Sequence, residues 1–296
     1  MARPNPNLTQ AKRDERRKRD RERLAEATRA LLSSEGWRAW LRARAVFHDY
    51  SLRNTLLIAQ EGRRRGFTPT HVAGFKAWLK LGRSVRKGEH GIAILAPVRV
   101  KERDGDGEQT GESRIFFRTA YVFDVSQTEP LPGAEPAPLD PPCAPIEGDS
   151  HADLLAPLEA LARELGYTVA YRQLERVEGL CDYRARAISV ADRLAPNGRV
   201  AVLVHELAHA LVGREAGLAK QVEELVVEAV AYVVCAGVGL DTGSDSVRYI
   251  AGWAADDALE QLRKAAELID DLARRIEQAI APVDAADQGL VLGEKA

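Results

Sequence analysis

Residues 204–213 read VHELAHALVG: two histidines four apart, His205 and His209, with Glu206 between them in an otherwise apolar run. On a helix, positions four apart share a face, so both imidazoles can be turned toward one ion while Glu206 stands beside them to draw a proton from water. The helix itself is delimited in the sequence. Pro196-Asn197-Gly198 interrupts the chain before it, and Gly213 is placed to end it. Titratable groups in so apolar a setting imply a position inside the domain, because an ionisable group left unpaired there is costly.

A hydrolytic zinc site takes three protein ligands and keeps one position open. Downstream, KQVEELVVEAVAYVVCAGVG (220–239) is a second mostly apolar helix, bearing Glu223, Glu224 and Glu228. Glu224 and Glu228 are four apart and share a face, so one can bind the ion while the other accepts the second N–H of a ligand histidine. Glu223 is expected to point away, into solvent.

The rest of the chain sets bounds. Its 296 residues are 45% hydrophobic, enough for a real core in one or two domains. No apolar run reaches the length of a membrane span and the N-terminus is charged, so a cytoplasmic protein with no membrane partner is expected. Cys143, Cys181 and Cys235 are isolated, which suggests neither a disulfide framework nor a cysteine metal site; Cys181 is expected to be buried. The net charge of −2 hides two unlike halves. Residues 1–130 hold 27 Lys+Arg against 16 Asp+Glu, a net of +11, and residues 131–296 hold 15 against 28, a net of −13. The front half should attract polyanions, and it also holds all six Phe and three of the four Trp.

Between the halves, seven of the 14 prolines fall within residues 130–145, which favours extended backbone and a linker. The spacing predicts a charged helix over 11–34, more helix over 37–60, and strands in 91–125 around the polar turn DGDGEQTGES. Beyond the linker it predicts a helix over 151–166, short strands at 167–171 and 186–190, and four further helices. The expected class is therefore α+β: a front domain over 1–129, a linker over 130–150, a mostly helical domain with a small sheet over 151–283, and a flexible tail over 284–296.

Single-stranded nucleic acid is held by cationic grooves that follow phosphates and by aromatic faces that stack bases. Lys76, Lys80, Arg83, Arg86 and Lys87 surround Trp78, and Asn54 and Gln60 offer polar contacts from the neighbouring helix. Asn54, Trp78, Arg83, Arg86 and Lys87 are thus candidate DNA contacts, although Trp78 reads equally well as a core residue. The stretch 12–23 is a supplementary contact at best. Tyr249 and Trp253, four apart, read as a packed helix face, and His48, His71, His90 and His151 have no partner at ligand spacing.

Two resemblances gather these signals. GLCDYRARAISVADRLAPNGRVAVLVHELAHAL, followed by EELVVEAVAYVV, resembles the ImmA/IrrE-type metallopeptidases, which are glutamate zincins. The likeness implies Zn2+ on His205, His209 and Glu224, Glu206 as the catalytic acid–base, Glu228 in support, and a strand at about 186–190 that holds a peptide by its edge. YSLRNTLLIAQ (50–60), FKAWLKLGRSVRKGEHGIAILAP (75–97) and YVFDVSQTEP (121–130) resemble, in order, the N-terminal domain of the ArdC antirestriction proteins. That likeness implies a single-stranded DNA-binding domain ahead of a zincin, and protection of mobile-element DNA as it enters a cell. The basic N-terminal helix, the long proline linker and Val227 depart from the pattern without removing a ligand. An alternative keeps the DNA-coating role and makes the zinc structural.

Overall fold

The computed structural model describes residues 10–47, 49–103, 109–133, 144–213, 217–242 and 258–281. The expected tail over 284–296, most of the proline run, Cys143, His48, Tyr249 and Trp253 lie outside the described residues.

The front half sets three helices, α1 (Gln10–Arg29), α2 (Ser34–Val46) and α3 (Leu52–Arg65), beside a small antiparallel sheet. The helical stretch expected over 37–60 is divided between α2 and α3, and the helix expected over 11–34 ends, as α1 followed by a 3-10 turn (Ala30–Leu32), at Ser33. That residue is extended, and its hydroxyl accepts the Gly36 N–H at 3.0 Å, so it starts α2 instead of continuing the helix before it. Next come β1 (Val72–Gly74), the short α4 (Phe75–Lys80), β2 (Arg83–Val85), β3 (Ile92–Arg103), β4 (Gln109–Asp124) and β5 (Thr128–Pro130). The main sheet has the order β1-β4-β3, and β2 and β5 form a separate ribbon. In the β3–β4 hairpin Ile92, Ile94 and Val122 face the core, whereas Phe117 and Tyr121, on the other face of β4, are exposed.

As an end strand, β3 would present bare backbone groups along its outer edge. Side chains cover them. Arg65 donates to Gly91 O (3.0 Å), Arg23 to Ala93 O (3.3 Å), and the Asn54 amide exchanges two hydrogen bonds with Leu95, to its O (3.0 Å) and from its N–H (2.9 Å).

The rear half contains β6 (Ala144–Pro145), α5 (Leu155–Glu164), β7 (Thr168–Arg172), β8 (Gly179–Asp182), β9 (Ala187–Ala191), α6 (Pro196–Val212), α7 (Lys220–Gly237), β10 (Leu240–Asp241) and α8 (Ala258–Ile280). Its sheet has the order β7-β9-β8, with β7 parallel and β8 antiparallel to β9. The strand expected at 186–190 as a peptide-holding edge is β9, and both of its edges are taken. Its near-continuous burial is what a central strand shows. Among the described residues the end strands of this sheet are β7 and β8, and β8 is the one that lines the cleft beside α6.

One hydrophobic core runs through both halves, joining Trp37 and Trp40 of α2 to Val226, Val230 and Val233 of α7 and Ile269 of α8. Within it Arg44, with no exposed surface, holds Asp270 and Glu277 of α8. A buried charge of this kind is tolerated only because both acids reach it. Among the described residues, no helix is long and apolar enough to cross a membrane.

Candidate metal centre

Helix α6 begins with Pro196 in its first turn, where a missing N–H costs nothing, and ends at Gly213, whose positive φ of 69° departs from the helix. Its apolar side is sealed by Val200, Leu203, Val204 and Leu207. The opposite side presents His205 and His209 to a cleft of about 860 Å³, walled by β8 and the first turn of α7. There the ring nitrogens of His205 and His209 and a carboxylate oxygen of Glu224 all lie within 4.8 Å of one another. His209 Nε2 stands 3.8 Å from Glu224 Oε2. Donors sharing one ion at about 2.1 Å each can be no more than ~4.2 Å apart, so this pair is already within range. Two imidazoles and a carboxylate form a nitrogen–oxygen donor set suited to a divalent transition metal.

Burial, and secondarily the neighbouring His209, push His205 down to about 4, which keeps its imidazole neutral, as a metal ligand must be. Glu206 is 7% exposed and is raised to about 7, first by burial and then by the Glu224 carboxylate. Its carboxylate accepts a hydrogen bond from the backbone of Cys181, on the edge of β8 that does not face β9. Gly179 makes this approach possible. A Cβ there would sit 2.3 Å from Glu206 Oε1 and 2.6 Å from Val202 Cγ1, so any side chain would displace the acid. Cys181 lines the cleft half-buried and not wholly enclosed as expected, and burial beside Glu206 raises its thiol to about 12.

Glu223 corrects the expectation for the supporting acid. It is not turned into solvent: its Oε1 lies 2.8 Å from His209 Nδ1 and accepts the Tyr183 hydroxyl at 2.5 Å. The carboxylate on His209 Nδ1 is therefore Glu223, while Glu228 sits half-buried one turn beyond Glu224. Burial pushes Glu223 up, but the hydrogen bonds from Tyr183 and His209 outweigh it and hold the carboxyl below its ordinary range. Tyr183, Gly179 and β8 itself went unrecognised in the sequence; the one available signal was the alternation of GLCD just before a turn.

The expected DNA contacts are not gathered in the same way. Trp78 is 1% exposed and donates its indole N–H to Phe123 O at 2.8 Å, so it is core and has no face for a base. Asn54 is buried, with its amide committed to the edge of β3. Arg83 donates to Thr128 Oγ1 across the β2–β5 ribbon at 2.7 Å, and Arg86 holds Ser126 O (2.5 Å) and Glu89 (2.9 Å). Lys87 is exposed in the turn that follows β2. Among the described residues, the exposed aromatic rings of the front half are Phe75, Phe116, Phe117 and Tyr121.

Residues 22–123 match the family model for the N-terminal domain of the anti-restriction factor ArdC. An uncharacterised protein of Bacillus anthracis is 27% identical over 270 residues, an alignment that takes in 78% of this chain and 45% of that protein. This chain thus spans less than half the length of that relative. The uncharacterised protein y4eC of Sinorhizobium fredii is 27% identical over 238 residues, 76% of this chain and 74% of its own. Among solved structures, the metal-free crystal structure of the antirestriction ArdC protein from the R388 plasmid matches with a TM-score of 0.44 at 20% identity, covering 81% of this chain and 84% of that one. The Mn(II)-bound structure of the same protein gives 0.43 at 19% identity, covering 82% and 88%.

Proposed function

From a front region of the ArdC N-terminal type, we propose that this chain is an antirestriction protein that binds single-stranded DNA through its front half and cleaves peptide bonds at a Zn2+ site in its rear half. The observation that carries the peptidase reading is Glu206. A purely structural ion needs ligands, but it does not need a fourth, buried acid beside them, raised to about 7 and facing an open cleft.

His205, His209 and Glu224 would hold the ion, which when bound supplies Lewis acidity to a water molecule and a substrate carbonyl. Glu206 takes a proton from the water as it attacks and returns it to the departing amine. Strand β8 pairs with β9 on one side, and on its other edge the Cys181 N–H already donates to Glu206, so the groups that would meet an extended peptide there are the Gly179 backbone and the Cys181 carbonyl. Leu180, exposed on that strand, offers an apolar contact to an alternate side chain of such a peptide.

In the front half, the exposed groups suited to single strands are Phe75 with Lys76 and Lys80 on α4, Lys87 beyond β2, and Phe117 and Tyr121 on β4. They supply rings for stacking and cations for phosphates in the half of the chain that carries a net +11.

The test is Glu206→Gln in the 296-residue chain. It should keep its metal and its affinity for single-stranded oligonucleotides, and lose cleavage of an unstructured reporter such as casein by 100-fold or more. Equal cleavage by the variant would overturn the assignment. Cleavage lost with protection of incoming plasmid DNA retained would favour the alternative, in which the protein only coats the strand.

A further inference from the structure

We infer that Glu223 is the positioning residue that sets His209 for metal binding, and that through Tyr183 it ties the end of strand β8 to the metal-bearing helices. This rests on the metal reading above and adds to it the group that controls one ligand.

Consecutive residues on a helix diverge by about 100°, so Glu223 and Glu224 cannot point at the same spot. Here they bracket one imidazole: Glu224 faces Nε2 of His209 at 3.8 Å, and Glu223 faces Nδ1 at 2.8 Å. A neutral imidazole has a single N–H, and whichever nitrogen donates to a carboxylate leaves the other as the lone pair. Glu223 therefore fixes the hydrogen on Nδ1 and directs the lone pair of Nε2 toward the position shared with His205 and Glu224. Fixing the tautomer before the ion arrives removes a cost from binding.

Tyr183 extends the link. It is the residue immediately after β8, and its hydroxyl donates to the same Glu223 oxygen at 2.5 Å while lying 3.3 Å from His209 Nδ1. Glu223 Oε1 thus accepts from both the ligand histidine and the chain that borders the cleft. The strand proposed to receive substrate is thereby tied to the centre that would act on it at a second point, beside the hydrogen bond from the Cys181 backbone to Glu206.

The 296-residue chain, freed of metal, is titrated with Zn2+ in competition with a chromogenic chelator, and separately with Co2+, whose visible absorption reports the ligand field. Glu223→Ala should weaken Zn2+ binding by about 10–100-fold and alter the Co2+ spectrum. Glu223→Gln, whose amide oxygen still accepts from Nδ1, should recover part of the affinity and most of the spectrum. Tyr183→Phe should cost a smaller factor and speed amide exchange at residues 180–184. Should Glu223→Ala fail to fold, Glu223→Gln and Tyr183→Phe still carry the test. A wild type that takes up neither ion defeats the metal reading itself. A wild type that binds, alongside Glu223 variants of equal affinity and unchanged spectrum and a Tyr183→Phe strand that exchanges no faster, overturns this inference alone.

Discussion

The rear cleft and the front surface drew on the same kind of sequence signal, a cluster of functional side chains at short spacing, and they turned out differently. In the rear, His205, His209 and Glu224 converge on one cleft. In front, Trp78 and Asn54 are buried and Arg83 and Arg86 brace a ribbon. The difference lies in what fixes the geometry. Four-residue spacing on a helix settles relative position by local backbone alone, whereas the fate of a tryptophan or an arginine near a turn is settled by what the rest of the chain lays over it.

The comparison can be tested first on stability. If the front residues are architecture, Trp78→Ala should destabilise the protein by about 3–5 kcal/mol, seen as an earlier denaturation midpoint with unchanged DNA affinity in the folded fraction. A stable variant with weakened binding would restore Trp78 as a stacking platform. Asn54→Ala comes next, at about 1–3 kcal/mol, because it strips both hydrogen bonds from the Leu95 backbone.

A smaller and pH-dependent effect belongs to Glu61, which hydrogen bonds from Arg64, joined by Arg65, hold down at about 2. The folded carboxyl binds its proton less tightly than the unfolded one, so the stabilisation is complete above the unfolded value and fades as pH falls toward 2. Thermal unfolding should therefore separate wild type from Glu61→Gln by about 1 kcal/mol or less at neutral pH, with the gap closing in acid. A gap that widens in acid would reverse the sign. The smallest stability effect is expected for the combined change of Lys76, Lys80 and Lys87 to Ala. It should leave unfolding nearly unchanged and lower the salt dependence of single-strand binding by roughly 0.7 for every phosphate that is no longer neutralised.

How far the sequence could be read follows the same division. The α+β class, the β3–β4 hairpin and the paired helices of the centre were legible because periodicity and turn residues encode them. Glu223 was misread because only the return of the chain through β8 and Tyr183, 40 residues earlier, shields it from solvent. The union of the two halves was beyond reach for a similar reason: Arg44 meets Glu277 across 233 positions, and nothing local in either segment announces the other. Strand β8 was too short to register, and the resemblance had placed the peptide-holding edge on the strand that proves central, β9.

The claim on which the rest depends is that α6 and α7 together make a metal centre with an acid beside it. Metal analysis of the purified 296-residue chain tests it most directly, comparing wild type with His209→Ala and Glu206→Gln. The account predicts about one zinc per chain in wild type and in Glu206→Gln, and none in His209→Ala. Equal metal in all three proteins, or none in any, would contradict it.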